Sequence, residues 1–196
     1  MVALAGAPKI SMPDQEEAWL REEYARAEVI LEYGSGGSTA LAQSLGKRVF
    51  SVESDAEWLK SLSEALAGDG PMDKLHLHHA DIGPTGDWGM PLPKPPFTRF
   101  PDYPLSVWER PDFVQPDLAL IDGRFRPACL LACLFLTKAP MRVLFDDYTD
   151  RPIYKVVEDF VKPAETRGRM ARFEISPQTI NPGDLRRIAS LMVTPK

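Results

Sequence analysis

A chain of 196 residues with a formal net charge of −5 has the length for one buried core and lacks the basic footprint that nucleic acid binding needs. No apolar run is long enough to span a membrane. MVALAGAPKI lacks a basic start followed by a long apolar segment, so the expected setting is cytoplasmic. The two cysteines, Cys129 and Cys133, lie four apart in the apolar run CLLAC. They read as reduced core thiols, and they make neither a disulfide framework nor a zinc site.

The first predicted element is a helix over 13–27. Ser11 can cap it, Pro13 suits its first turn, and Asp14, Glu16 and Glu17 suit its positive end. It either covers the sheet or roofs a ligand site. Val29, Ile30 and Leu31 then form the short apolar run of a strand buried on both faces. Gly34, Gly36 and Gly37 remove side chains where the chain turns and a ligand can approach the backbone. Ser38 or Thr39 can cap the next helix, and Gly46 ends it. Val49, Phe50 and Val52 form a second strand, with Glu53 at its tip. Together these elements make a βαβ unit with its crevice at the carboxyl ends of the strands.

Ala56 to Leu66 reads as a helix closed by GDGP, and Lys74 to His79 as a strand ending at Asp81. His76 and His78 share one face of that strand while His79 points to the other. No acid or cysteine completes a set around them, so half-exposed strand residues are the better reading. Residues 83–115 break the pattern with eight prolines and interleaved aromatics that include Trp88, Phe100, Tyr103 and Trp108. Proline excludes a regular helix or central strand there. Such a stretch is either an ordered cap over the strand ends or a flap that seals a core edge. Asp117 to Asp122 is a further strand, Pro127 to Thr137 a helix and Met141 to Phe145 a strand. Ile153 to Val161 reads as a helix, Ala171 to Ile175 as a strand, and Leu185 to Val193 as a last strand antiparallel to it.

The expected fold is therefore α/β, a Rossmann-like, doubly wound, mostly parallel sheet with an antiparallel last strand, in one domain over residues 1–196. Acids fall where its strands end: Glu32, Glu53, Asp81, Asp122, Asp146 and Asp147. Strand tips of such a sheet converge on one crevice. A glycine turn with an acid about 20 residues later also fits a nicotinamide dinucleotide. Glu32 beside the turn argues against that reading, because a carboxylate facing a pyrophosphate repels it.

LEYGSGGST, VES and HADI, in that order, resemble the motifs of the class I S-adenosylmethionine-dependent methyltransferases. The resemblance covers roughly Glu28 to the end of the chain. It implies that Gly34, Ser35 and Gly36, followed by Ser38 and Thr39, approach the methionine portion of the cofactor, with Glu32 near its amino group. It further implies that Glu53 accepts from the ribose hydroxyls and Asp81 from the adenine amino group. Ser38 stands where many members have a third glycine.

IDGRFR and FDDY resemble the DGD…DDY pattern of metal-dependent small-molecule O-methyltransferases. That likeness makes Asp122, Asp146 and Asp147 ligands for a divalent cation such as Mg²⁺, which would polarise an acceptor hydroxyl. Arg124 replaces an acid of the pattern, and an arginine takes no proton at neutral pH. Two roles follow for it. It can neutralise Asp146 or Asp147 and stand in for the cation, bound metal not being the favoured reading. Alternatively, Arg124 and Arg126 grip an anionic small-molecule acceptor. The catalytic candidates are Asp122, Arg124, Asp146 and Asp147. The expected activity is methyl transfer to a small polar acceptor, with O-methylation favoured. A non-catalytic S-adenosylmethionine-binding protein is the main alternative, and a nicotinamide-dependent oxidoreductase the lesser one.

Overall fold

The computed structural model describes residues 6–68, 70, 72–92 and 96–195. Asp69 and Pro71 of the GDGP closure, Pro93 and Pro95 of the proline-rich stretch, and the first five residues of the N-terminal reading lie outside them.

In chain order the first half comprises α1 (Asp14–Arg26), β1 (Val29–Tyr33), α2 (Gly37–Ser44), β2 (Arg48–Glu53), α3 (Ala56–Leu66) and β3 (Leu75–His79). The second half comprises α4 (Asp102–Leu105), β4 (Leu118–Ile121), α5 (Arg126–Leu136), β5 (Met141–Phe145), β6 (Glu165–Arg167), β7 (Met170–Ile175) and α6 (Leu185–Met192). The sheet order is β3-β2-β1-β4-β5-β7-β6. The first five strands are parallel, whereas β7 runs antiparallel to β5 and to β6. The order reverses between β1 and β4, and that switch point is where an open α/β sheet leaves its crevice.

Alternation along the strands separates two cores. Ile30, Val49, Leu118, Leu120 and Leu144 face one side, where Trp19, Leu20 and Tyr24 of α1 and Leu41 of α2 pack on them. Leu31, Phe50, Val52, Ile121 and Phe145 face the other, against α5. Every residue of α5 from Arg126 to Leu134 is buried, Cys129 and Cys133 among them. Helix α1 thus covers a sheet face. It is pinned by its buried Glu23, whose carboxylate receives the guanidinium groups of Arg142 and Arg172. The segment just before the helix lies on the glycine turn.

The stretch over 83–115 divides between its two readings. Its early part reaches the strand tips, where the left-handed Trp88 and Gly89 line the crevice. Its later part seals the core, with Phe100, Tyr103 and Val107 buried against the α5 side of the sheet. Among its described residues it holds short helical turns and an isolated bridge between Thr85 and Pro91, as its prolines require.

Two expectations over the last quarter of the chain are corrected. Residues 185–192 form α6 rather than a strand. Ile188, Leu191 and Met192 recur at helical spacing and pack on the core, which a strand would split between two faces. The antiparallel edge is instead the hairpin of β6 and β7, turning through the left-handed Gly168. The segment expected as a helix over Ile153 to Val161 is a run of 3-10 turns over Pro152–Asp159. Among the described residues, no helix is long and apolar enough to cross a membrane.

Candidate functional site

The glycine turn is built from beneath. Glu32 on β1 is fully buried, and burial pushes its carboxyl above the ordinary carboxylate range. Four hydroxyls, those of Thr39, Tyr24, Ser51 and Ser38, pull in the opposite direction. Thr39 donates to it at 2.6 Å, Tyr24 at 2.6 Å and Ser51 at 2.8 Å. The Gly36 amide in turn donates to Thr39 Oγ1 at 3.0 Å. From above, the Trp58 indole donates to the Ser35 carbonyl at 2.8 Å. Gly34, at φ +105°, has no room for a side chain, since an added Cβ would stand 2.9 Å from the Gly123 backbone. The tips of β1 and β4 therefore meet glycine to glycine.

Above this turn lies a cavity of about 350 Å³, within the usual size of a small-molecule site. Gly34, Ser35, Gly36 and Ser38 line it, as do Glu53, Asp122 and Arg124. The N-terminal segment from Pro8 to Met12 forms another wall. It lies so close that a Cβ on Gly37 would stand 2.3 Å from the Lys9 carbonyl carbon. Nothing in MVALAGAPKI announces this role.

Glu53 is held at the edge of the cavity. Its Oε1 accepts from the amides of Ser54 at 2.6 Å and Asp55 at 3.0 Å, while Oε2 receives only a long 3.4 Å contact from the Ser35 amide. One carboxylate oxygen thus keeps most of its accepting capacity. Burial raises this carboxyl too, against the pull of those amides.

Not every expected site residue reaches the cavity. Glu32 and Thr39 lie under the turn and support it, so the like-charge argument against a pyrophosphate does not rest on Glu32. Glu53, Asp55 and Asp122 supply that negative charge instead. Asp81 is exposed and outside the cavity wall, with one oxygen accepting from the Gly83 amide and the other paired with Arg99 at 2.8 Å. His76 stacks on Phe50, and His78 bonds Ser106.

The acids of the second half are closed by arginines, although not by Arg124. Arg169 donates to both oxygens of the fully buried Asp146. Asp147, whose backbone is left-handed, pairs with Arg151 at 2.9 Å, Arg169 at 3.2 Å and Arg126 at 3.3 Å. Arg126 is buried, pairs with Asp122 at 3.1 Å, and donates to the backbone carbonyls of Asp122, Gly123 and Asp146. It is a structural tie and is not free to grip an acceptor. Among the described residues no group of three or more His, Cys, Asp or Glu side chains is arranged to hold a metal ion. The chemistry of the aspartates points the same way, because guanidinium groups already take both oxygens of Asp146 and Asp147 and the Oδ1 of Asp122. A divalent cation does not fit this arrangement.

Asp122 and Arg124 are the two catalytic candidates that line the cavity. The Asp122 carboxyl is pushed up to about 7, chiefly by burial and further by the carboxylates of Asp146 and Asp147, against the opposing pull of Arg126. Arg124 is fixed at both ends, its amide donating to Tyr103 Oη at 3.3 Å and its Nε to the Trp88 carbonyl at 2.7 Å.

Neither a protein-family model nor a curated protein sequence matches the chain. Solved structures do. A methyltransferase-like protein from Silicibacter pomeroyi is 45% identical over 96% of this chain and 99% of its own, with a TM-score of 0.92. An O-methyltransferase from Bacillus cereus, solved in complex with SAH, is 14% identical over 86% of this chain and 84% of its own, at a TM-score of 0.59. A SAM-dependent O-methyltransferase from Thermotoga maritima is 14% identical over 88% of this chain and 69% of its own, at 0.56. The last two establish likeness of fold. The first, nearly half identical across almost all of both chains, establishes kinship: this chain belongs to the family of that methyltransferase-like protein.

Proposed function

We propose that the chain transfers a methyl group from S-adenosylmethionine to a small polar acceptor, with an oxygen nucleophile favoured. The observation that carries this reading is the joining of the bare glycine turn, the Glu53 carboxylate and the Asp122–Arg124 pair in one cavity of about 350 Å³. S-adenosylmethionine supplies an electrophilic methyl group on a sulfonium and carries no phosphate, which suits a cavity walled by carboxylates. Gly34, Ser35 and Gly36 admit its methionine portion, and Glu53 accepts from its ribose through the lightly used Oε2. Asp81 keeps a role toward adenine only through the lone pairs that Gly83 and Arg99 leave free.

Asp122 is the residue here for proton transfer. A carboxyl that titrates near neutrality can take a proton from an acceptor hydroxyl as its oxygen attacks. Arg126 holds Asp122 in place, and the walls from Pro8–Met12 and Trp88–Gly89 exclude water and fix the line of attack. No step passes through a metal.

A second reading, a binding protein without turnover, is favoured by the locking of Asp146 and Asp147 in ion pairs. Thermal-shift titration with SAH and with NAD tests the cofactor, and a larger shift with NAD overturns the proposal. Incubation with methyl-labelled S-adenosylmethionine and a metabolite mixture then tests turnover. SAH binding without label transfer to any acceptor favours the second reading.

A further inference from the structure

The carboxylates of the cavity are each engaged by the fold, whereas its cations form no ion pair among the described residues. Glu53 takes the Ser54 and Asp55 amides, Asp55 caps α3 through the amides of Glu57 and Trp58, and Asp122 is paired with Arg126. Arg124 differs. Only its Nε is engaged, and by a neutral carbonyl. Among the described residues it forms no ion pair, and its two terminal nitrogens have no hydrogen-bond partner. The opposite wall contributes Lys9, also without an ion pair among the described residues.

Arg124 is also held in place at some cost. It precedes Phe125, a bulky residue in the left-handed region at φ +52° directly before α5, and such a conformation in an aromatic residue is uncommon. The Arg124 carbonyl accepts from Cys129 Sγ, and its amide is tied to Tyr103. The side chain hangs from the Trp88 carbonyl, on the loop that roofs the cavity, and not from the glycine turn that supports the methionine portion. With Nε occupied, the Nη1–Nη2 edge remains as a planar pair of donors, the geometry that matches a carboxylate or phosphate.

We propose that Arg124 is the acceptor-recognition residue and that the methyl acceptor is a small anion, a hydroxyl compound carrying a carboxylate or phosphate. The anion rests on the Nη1–Nη2 edge and its hydroxyl is directed to Asp122, two residues earlier at the same strand tip. This inference rests on the methyl-transfer reading above. The carboxylate of the cofactor offers Arg124 the same chemistry, so the test separates the two sources.

The experiment measures SAH binding calorimetrically for the wild type, Arg124→Gln and Arg124→Lys. It then measures binding of matched pairs to each SAH complex: 4-hydroxybenzoate against 4-hydroxybenzyl alcohol, glycerate against glycerol, and glucose 6-phosphate against glucose. Circular dichroism and melting confirm that each variant is folded. The expected result is SAH affinity changed less than about threefold by Arg124→Gln, with the anionic member of at least one pair preferred by the wild type and weakened about tenfold or more, as loss of a charged hydrogen bond implies. Arg124→Lys restores part of that preference. A tenfold loss of SAH affinity in Arg124→Gln assigns Arg124 to the cofactor and overturns the proposal. No preference for the anionic partner in any pair also overturns it. Failure of the wild type to bind SAH at all would instead strike the underlying methyl-transfer reading.

Discussion

Arg169 presents two nitrogens to the two oxygens of Asp146, with Nε 3.0 Å from Oδ1 and Nη2 2.7 Å from Oδ2, and Asp146 has no exposed surface. The arginine comes from the hairpin of β6 and β7 and the aspartate from the tip of β5. Their pairing therefore fastens the antiparallel edge of the sheet to the end that carries the cavity. A buried carboxylate left without its partner is strongly destabilising, and the guanidinium leaves it no room to serve a cation.

Replacing Arg169 by Met should accordingly cost about 3–5 kcal/mol in urea unfolding, the range for breaking a buried pair from one side. Replacing both partners, Arg169→Met with Asp146→Leu, should recover much of that loss. In the same preparation, about 10 mM MgCl₂ should leave the wild-type melting temperature unchanged, because a ligand that binds the native state would raise it.

Asp122 gives stability a pH dependence whose sign follows from its environment. Its carboxyl titrates near 7 in the folded chain, against an ordinary value of 3.8. Between those values the native state holds the extra proton. Stability conferred at low pH is therefore lost as pH rises through about 4 to 7, and the loss is complete above that window. Asp122→Asn removes this component. Melting curves should show the variant gaining on the wild type as pH rises, by roughly 1–2 kcal/mol near pH 8. That is less than the full 1.36 kcal/mol per unit, because Asp122 is one-third exposed and paired.

Glu53→Gln keeps the shape of the side chain but turns one accepting oxygen into a donor. Its Oε1 bonds to the Ser54 and Asp55 amides can be retained by the amide oxygen, so the melting temperature should move little. SAH affinity, measured calorimetrically, should fall about 10- to 100-fold, the scale of a lost charged hydrogen bond.

Gly123→Ala tests the meeting of β1 and β4. An added methyl would stand 2.1 Å from Tyr103 Oη and 2.9 Å from the Gly34 amide nitrogen. Overpacking of this kind costs about 1–3 kcal/mol. Because Gly34 lines the cavity, SAH binding should weaken together with stability.

The parallel half of the sheet was legible because its strands are short apolar runs, or in β3 an alternation of Leu and His, followed by a glycine or an acid. Met141–Phe145 and Ala56–Leu66 begin and end where the pattern places them. The far edge was not legible. Glu165–Arg167 is three polar residues with no apolar alternation to report a strand. In Leu185–Met192 the apolar residues Leu185, Ile188, Leu191 and Met192 recur at helical spacing, a repeat that the strand reading overlooked. At the site, residue types at strand tips pointed to the end of the sheet where the cavity lies but not to the direction of each side chain. Glu32 alternates to the buried face with Tyr24 and Thr39, and Asp81 turns outward to Arg99. Arg169 carried no local signal, since its partner Asp146 is 23 residues away and the two meet only through the hairpin.

The tryptophans fall into two environments. Trp19 is enclosed by α1 and the sheet, and Trp108 donates to Tyr33 beneath the cap. Trp58 is bonded to the Ser35 carbonyl of the glycine turn, and the Trp88 indole stands 85% exposed at the rim. The protein therefore carries its own optical reporter of occupancy. Emission from Trp88 should be red-shifted and open to iodide quenching when the cavity is empty, and shielded once a ligand seats beneath it. The buried Trp19 and the half-buried Trp108, neither of which lines the cavity, supply the background in the same spectrum.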